Sequence, residues 1–198
     1  MTMKDLPTAL PPNICIFCCG AGPFTSEEHI VPHSLGNDLV VLGKGWVCDN
    51  CNNKFSAFES RVLYSSILGV ERCRMGVTTK KGRPAHSKTH GISWFAEPTG
   101  PANHVTVEAE WERAPLLFSN DGLSGKLVFP LHDESNADIA RLLLKVGIEI
   151  LAPLMHSQAE TSSFDLSEAK HYLVTGTGVS WPYFVLLSSE AMPHLVSV

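Results

Sequence analysis

Two C-x₂-C turns, Cys15-Ile16-Phe17-Cys18 and Cys48-Asp49-Asn50-Cys51, stand in this chain with twenty-nine residues between them. Such a turn sets two thiolates close enough to bind one ion, and two turns complete a tetrahedral four-sulfur zinc site. The segment between them is short and weakly apolar, so it cannot fold on buried surface alone. Zinc, at about 10–16 kcal/mol in small modules of this kind, would carry that folding. With thiolates at all four positions the ion has no open position, so this zinc is expected to be structural and not catalytic. Cys19 adjoins the first turn and reads as a bystander, and Cys73 reads as a buried small hydrophobe.

The 198 residues suffice for one domain or for a small module plus a larger region. Hydrophobic residues make up 44% and charged residues 18%, a globular composition and not a disordered one. Residues 1–12 carry Lys4, Asp5 and three prolines but no apolar run of signal length. The most apolar stretch, Ile139 to Met155, is interrupted by Arg141, Lys145 and Glu149. The expectation is a cytosolic chain with no membrane partner, where cysteines serve as metal ligands or free thiols. The net charge of −5 divides unevenly: ten Lys/Arg against seven Asp/Glu in residues 1–90 (+3), five against thirteen in residues 91–198 (−8). The first half is the one suited to a polyanion; the alternative is that charge falls where the fold tolerates it.

The expected fold class is α+β: a small zinc-stapled module over residues 13–68, a basic loop or hairpin over 69–92, and a larger α+β region over 93–198. Turn signals at Gly36-Asn37 and Gly43-Lys44-Gly45, around Leu39-Val40-Val41-Leu42, suit a strand pair. Asp49 or Asn50 is expected to cap a helix running to about Leu68, with Phe55, Phe58, Val62 and Ile67 on one face and Gly69 as its stop. His104 to Trp111 alternates as a half-buried strand. Ala137 to Ala152 reads as a helix with the stripe Ile139, Leu142, Leu143, Val146, Ile150 and Leu151, ended by Pro153. Tyr172–Thr175 and Tyr183–Leu187 read as strands.

Between the cysteine turns lies Glu28-His29-Ile30-Val31-Pro32, followed by Ser34-Leu35-Gly36, and Asn52-Asn53 directly follow Cys51. In these pieces, over about residues 13–60, the chain resembles the zinc-bearing branch of the HNH endonuclease family. The resemblance implies a ββα-metal nuclease that hydrolyses DNA phosphodiester bonds. It also implies that His29 is the general base, and that Glu28 and Asn52 hold a catalytic Mg²⁺ or Mn²⁺. The chemistry agrees: an imidazole ordinarily titrates near neutrality, and oxygen ligands with water suit hard cations. This chain has Glu28 where many members have Asp, which moves the metal or allows a bidentate mode. The nearest counterpart of the family's middle Asn is Asn37.

Each residue also has a plainer reading. His29 could be a turn histidine, Glu28 a solvated partner of Glu27, Asn52 a helix cap, and His33 a surface histidine. From Arg72 to His90 the chain carries Arg72, Arg74, Lys80, Lys81, Arg83 and Lys88 with no acid and no aromatic residue. Such a run suits sequence-independent contact with nucleic-acid phosphates and not base stacking; otherwise it is a solvated loop. The competing functional reading is a non-catalytic four-cysteine module that binds nucleic acid or a protein partner. A third is that residues 93–198 recognise a protein or a modified base and the nuclease is their effector. Oligomeric state is not legible.

Overall fold

The structure, a computed structural model, describes residues 11–79, 81–97, 99, 103–109, 116–118, 125–127, 136–157, 165–178 and 181. It is mixed α+β. Strand β1 (Glu28–His29) pairs antiparallel with β2 (Val41–Leu42), placing Glu28 opposite Leu42 and His29 opposite Val41. Only the last two residues of the run Leu39-Val40-Val41-Leu42 are strand. The loop ahead of them is held by Asn37, whose Nδ2 donates to the Val31 and Val40 carbonyls (2.8 and 2.9 Å). Its Oδ1 accepts from the Leu39 and Val40 amides (3.1 and 2.9 Å).

Helix α1 spans Asp49–Ser65, and its cap position is Cys48 and not Asp49 or Asn50. Phe55, Phe58 and Val62 are buried along it, as the periodicity implies. The expected helix to Leu68 is broken at Ser66, which is extended; α2 (Ile67–Arg74) then starts afresh. Ser66 makes the break by itself. Its hydroxyl donates to the Val62 carbonyl (2.6 Å) and accepts from the Leu68 amide (3.1 Å), serving the end of one helix and the start of the next. Gly69 is therefore not a stop. It lies inside α2, where a Cβ would stand 2.6 Å from Ser87 Oγ and 2.7 Å from the Leu63 carbonyl oxygen. The glycine permits close approach.

Strands β3 (His86–Thr89), β4 (Ile92–Ala96) and β5 (Val105–Ala109) form an antiparallel sheet in that order. Within β5 Val105, Val107 and Ala109 are half-buried and Thr106 and Glu108 exposed, matching the expected alternation, while Trp111 lies outside the described residues. The region read as a basic loop or hairpin thus contains the end of α2, a turn closed by a Thr78–Pro84 bridge, and β3. Strands β6 (Leu116–Phe118) and β7 (Gly125–Leu127) pair with each other.

Helix α3 spans Asn136–Ser157 and passes through Pro153. A proline inside a helix forfeits one hydrogen bond and meets the preceding turn. Here the turn beyond it is anchored by packing, with the His156 ring edge-on to Trp46 at 5.6 Å. Most of the expected stripe faces the core: Ile139 and Leu142 are buried, and Val146 and Ile150 pack against it partly buried. Leu143 and Leu151 are exposed, and the face turned inward carries Ile139, Leu142, Lys145, Ile148 and Glu149. Residues 172–175, expected as a strand, belong to helix α4 (Ser167–Thr175). Its buried Ala169, Tyr172 and Leu173 follow helical spacing, and left-handed Gly176 closes it. Residues 183–187 lie outside the described residues. No helix among the described residues is long and apolar enough to cross a membrane.

Among the described residues two hydrophobic cores result. One joins the cysteine turns, Ile30, Leu42, Trp46 and α1 to Ile139, Leu142 and Ile148 of α3 and Ala169 and Leu173 of α4. The other gathers Val70, Cys73, Ala85, Ile92, Trp94 and Ala96 under the three-stranded sheet. Cys73 is fully buried, as expected of a small hydrophobe. A two-pronged ion pair from Arg61 on α1 to Asp138 on α3 (2.6 and 2.9 Å) ties the two helices together.

Candidate metal centre and adjoining acid–base cluster

Cys15, Cys18, Cys48 and Cys51 meet with their sulfurs all within 4.8 Å of one another. A tetrahedral zinc with bonds of about 2.3 Å spaces its sulfurs about 3.8 Å apart, so the cluster fits such an ion. Cys18 Sγ and Cys48 Sγ are already 3.6 Å apart. The first turn is closed by the Cys19 amide on the Cys15 carbonyl (2.9 Å) and the Cys15 amide on the Gly20 carbonyl (2.8 Å). The second turn doubles as the start of α1. The Cys15 thiol is drawn down to about 4 by the hydrogen bond from Cys51, against burial, with help from the Cys18, Cys48 and Phe17 amides. Cys51 is pushed up by donating a hydrogen bond to the Cys15 sulfur and by burial, and Cys48 is raised first by burial. A dication would relieve this competition for negative charge by accepting all four sulfurs as thiolates. These four cysteines could hold a structural metal such as zinc. Cys19 is exposed and outside the cluster, as expected.

Beside the cluster, the start of α1 is hydrogen-bonded to residues 25–26. Asp49, in the first turn of α1, accepts from the Thr25 amide (2.9 Å) and hydroxyl (2.7 Å) and from the Ser26 hydroxyl (3.2 Å). These hydrogen bonds hold its carboxyl below the ordinary range, the Thr25 hydroxyl contributing most. One turn on, Asn52 Nδ2 donates to Ser26 Oγ (3.1 Å). Residues 25–26 run straight into β1, so the start of α1 is pinned to the strand that carries Glu28 and His29. Asn52 is not the helix cap; its amide bonds the Cys48 carbonyl within the first turn (3.0 Å). The atom it can offer a cation is Oδ1.

Glu28 is not a solvated surface acid. It is 6% exposed, and its Oε1 lies 2.7 Å from the ammonium of Lys145. Lys145, fully buried, reaches in from α3, with its Nζ 3.0 Å from Glu149 Oε2 and 3.3 Å from the His29 carbonyl. Glu59 Oε1 on α1 is 3.2 Å away, a charge contact without hydrogen-bond alignment. Burial works against the charge on Lys145, but Glu149, Glu28 and Glu59 outweigh it and hold the ammonium above its ordinary range. Burial pushes the Glu149 carboxyl well up, only partly offset by Lys145. His29 is half-buried, with a buried Nδ1 that has no hydrogen-bond partner among the described residues, and its ring meets His33 edge-on at 5.6 Å. His33 is engaged with Asp38 (2.9 Å).

The basic residues are dispersed. Arg72 is buried, its guanidinium donating to the Leu63 carbonyl (3.0 Å), so it faces away from any polyanion at the surface. Arg74 pairs with Glu71 (2.6 Å) and touches Asn103. Lys81 and Arg83 are exposed at the tip of the Thr78–Pro84 turn and Lys88 is exposed on β3; Lys80 lies outside the described residues.

Lys145, Glu149 and Glu59 are absent from the site residues that the sequence suggests. A signal exists all the same: Lys145 and Glu149 are four residues apart and in phase with Ile139 and Leu142, a pair of charges on the buried face of a helix. No known protein family, no curated protein and no solved structure matches this chain.

Proposed function

We propose that the chain is a divalent-metal-dependent endonuclease of the HNH type that hydrolyses phosphodiester bonds in DNA. The observation that carries this reading is the joining of a Glu28-His29 strand, an Asn37-braced loop and the start of α1 around one four-cysteine clamp. That order of elements is the one the resemblance to zinc-bearing HNH nucleases implies, and Asn37 steadies the loop as the family's middle Asn does. Among the plainer readings, a solvated Glu28 and a capping Asn52 both disagree with the contacts described.

In this reading the His29 imidazole removes the proton from the attacking water. Glu28 and Asn52 supply oxygen donors, a set suited to Mg²⁺ or Mn²⁺. When bound, such a cation supplies positive charge at the departing alkoxide. Asp49 and Ser26 fix Asn52 relative to β1, and the four cysteines fix α1 relative to the hairpin. Lys81, Arg83 and Lys88 offer phosphate contacts that are indifferent to sequence. Incubating the purified chain with supercoiled plasmid, with and without Mg²⁺ or Mn²⁺, tests the reading; metal-dependent nicking or linearisation is expected.

A second reading, a non-catalytic zinc module, draws support from the Lys145 ion pair. A cation at Glu28 must share that carboxylate with an ammonium 2.7 Å away. Binding to DNA or a protein with no cleavage under any metal would favour it.

A further inference from the structure

Lys145 and Glu149 are fully buried on α3. Removing an ion pair from water costs several kcal/mol per ion, and apolar residues of similar size often stabilise a core as well or better. Stability alone therefore gives no reason for a lysine at this position. Its contacts do. One ammonium touches the carboxylate of Glu28 (2.7 Å) and the main-chain carbonyl of His29 (3.3 Å), the two adjacent residues of the proposed site. The same atom is anchored by Glu149 one turn along its own helix (3.0 Å) and by Glu59 on α1 (3.2 Å). Strand β1 is only two residues long and cannot fix those side chains by itself.

We propose that Lys145 is a positioning residue of the nuclease site, delivered from outside the zinc-bearing segment, that sets the Glu28 carboxylate and the His29 backbone in their working geometry. The proposal rests on the nuclease reading. Partners of this kind, one layer behind the reacting groups, typically change activity 10–100-fold when removed. Helix α3 is then a functional part of the site and not an appendage to it.

The test uses the full chain with Lys145→Met and Lys145→Gln, assayed on plasmid and on the small diester bis(p-nitrophenyl) phosphate at saturating Mn²⁺. Rates are expressed per zinc-loaded chain. The expected result is a kcat about 10–100-fold lower on both substrates, with plasmid KM unchanged and no recovery on adding Mn²⁺. A lysine that serves folding alone would lower the melting temperature or the zinc-loaded fraction and leave kcat per loaded chain intact; that result overturns the proposal. If neither variant folds, Lys145→Arg keeps the charge but replaces a point ammonium by a planar fork. It is expected to lose kcat as well, and wild-type kcat in it overturns the proposal. Absence of cleavage by the unaltered chain overturns the nuclease reading and this proposal together, whereas cleavage by the unaltered chain and its Lys145 variants alike overturns this proposal alone.

Discussion

Replacing the Cys48 sulfur with oxygen tests the metal centre at a single atom. Cys48 lies in the four-sulfur cluster at the position from which α1 starts, and its side chain makes no capping hydrogen bond, so the substitution removes a metal ligand and leaves the helix start intact. The unaltered chain should carry one zinc per molecule by elemental analysis. Cys48→Ser should lose it and become insoluble or unfolded in residues 13–68, because zinc binding in such modules is folding free energy. Soluble, folded, zinc-free wild-type protein would contradict this. The cysteines are legible in the sequence because their spacing is itself the chemistry. Lys145 is legible only as a charge in phase with Ile139 and Leu142, and its role is not, because its partner Glu28 lies 117 positions away. Glu28 is legible as a candidate ligand but not as one member of a buried ion-pair network.

Elements are most legible where a single pattern decides them. The burial of Phe55, Phe58 and Val62 on α1 and the alternation of β5 follow from spacing. Other expectations fail for tertiary or competing local reasons, the stop at Pro153 among them. Ser66 bonds both neighbouring helices and breaks the run that Gly69 was expected to end. Tyr172 and Leu173 look β-prone but bury with Ala169 at helical spacing. Helix α3 keeps Ile139 and Leu142 inward but adds Lys145 and Glu149 to that face and leaves Leu143 and Leu151, which apolarity placed there, exposed. The basic hairpin gives a prediction at this scale. Changing Lys81, Arg83 and Lys88 together to Ala should weaken binding equally for unrelated DNA sequences. On duplex DNA it should also flatten log affinity against log salt by about 0.9 for each phosphate that the variant no longer neutralises. An unchanged slope, measured by fluorescence anisotropy across a salt series, would place the phosphate contacts elsewhere. Arg72→Met should leave the slope alone, since its guanidinium is spent on the Leu63 carbonyl.

At the scale of the molecule, the four-cysteine segment does not own its core. Ile139, Leu142, Ile148 and Leu173 pack against α1 and the hairpin from the other half of the chain. Burying a large aliphatic side chain contributes about 1.5–3 kcal/mol, so the four together rival the about 5–15 kcal/mol by which domains are stable. A fragment of residues 11–92 should therefore keep affinity for zinc yet show no cooperative melt by circular dichroism and no cleavage. A fragment as stable and active as the full chain would show that α3 and α4 are dispensable. Among the described residues, Lys81, Arg83 and Lys88 are exposed on the first half of the chain, whereas Lys145 of the second half is buried.

The central claim is that this site cuts phosphodiester bonds through His29, with Glu28 and Asn52 serving a cation. The most direct measurement compares plasmid cleavage by the unaltered chain, His29→Ala and Glu28→Ala across a Mn²⁺ series, with zinc content and DNA binding measured on the same samples. His29→Ala is expected to lose about 10²–10⁴-fold in cleavage rate, to keep zinc and DNA binding, and to gain nothing from added Mn²⁺, whereas Glu28→Ala recovers in part. Full cleavage by His29→Ala would contradict the claim.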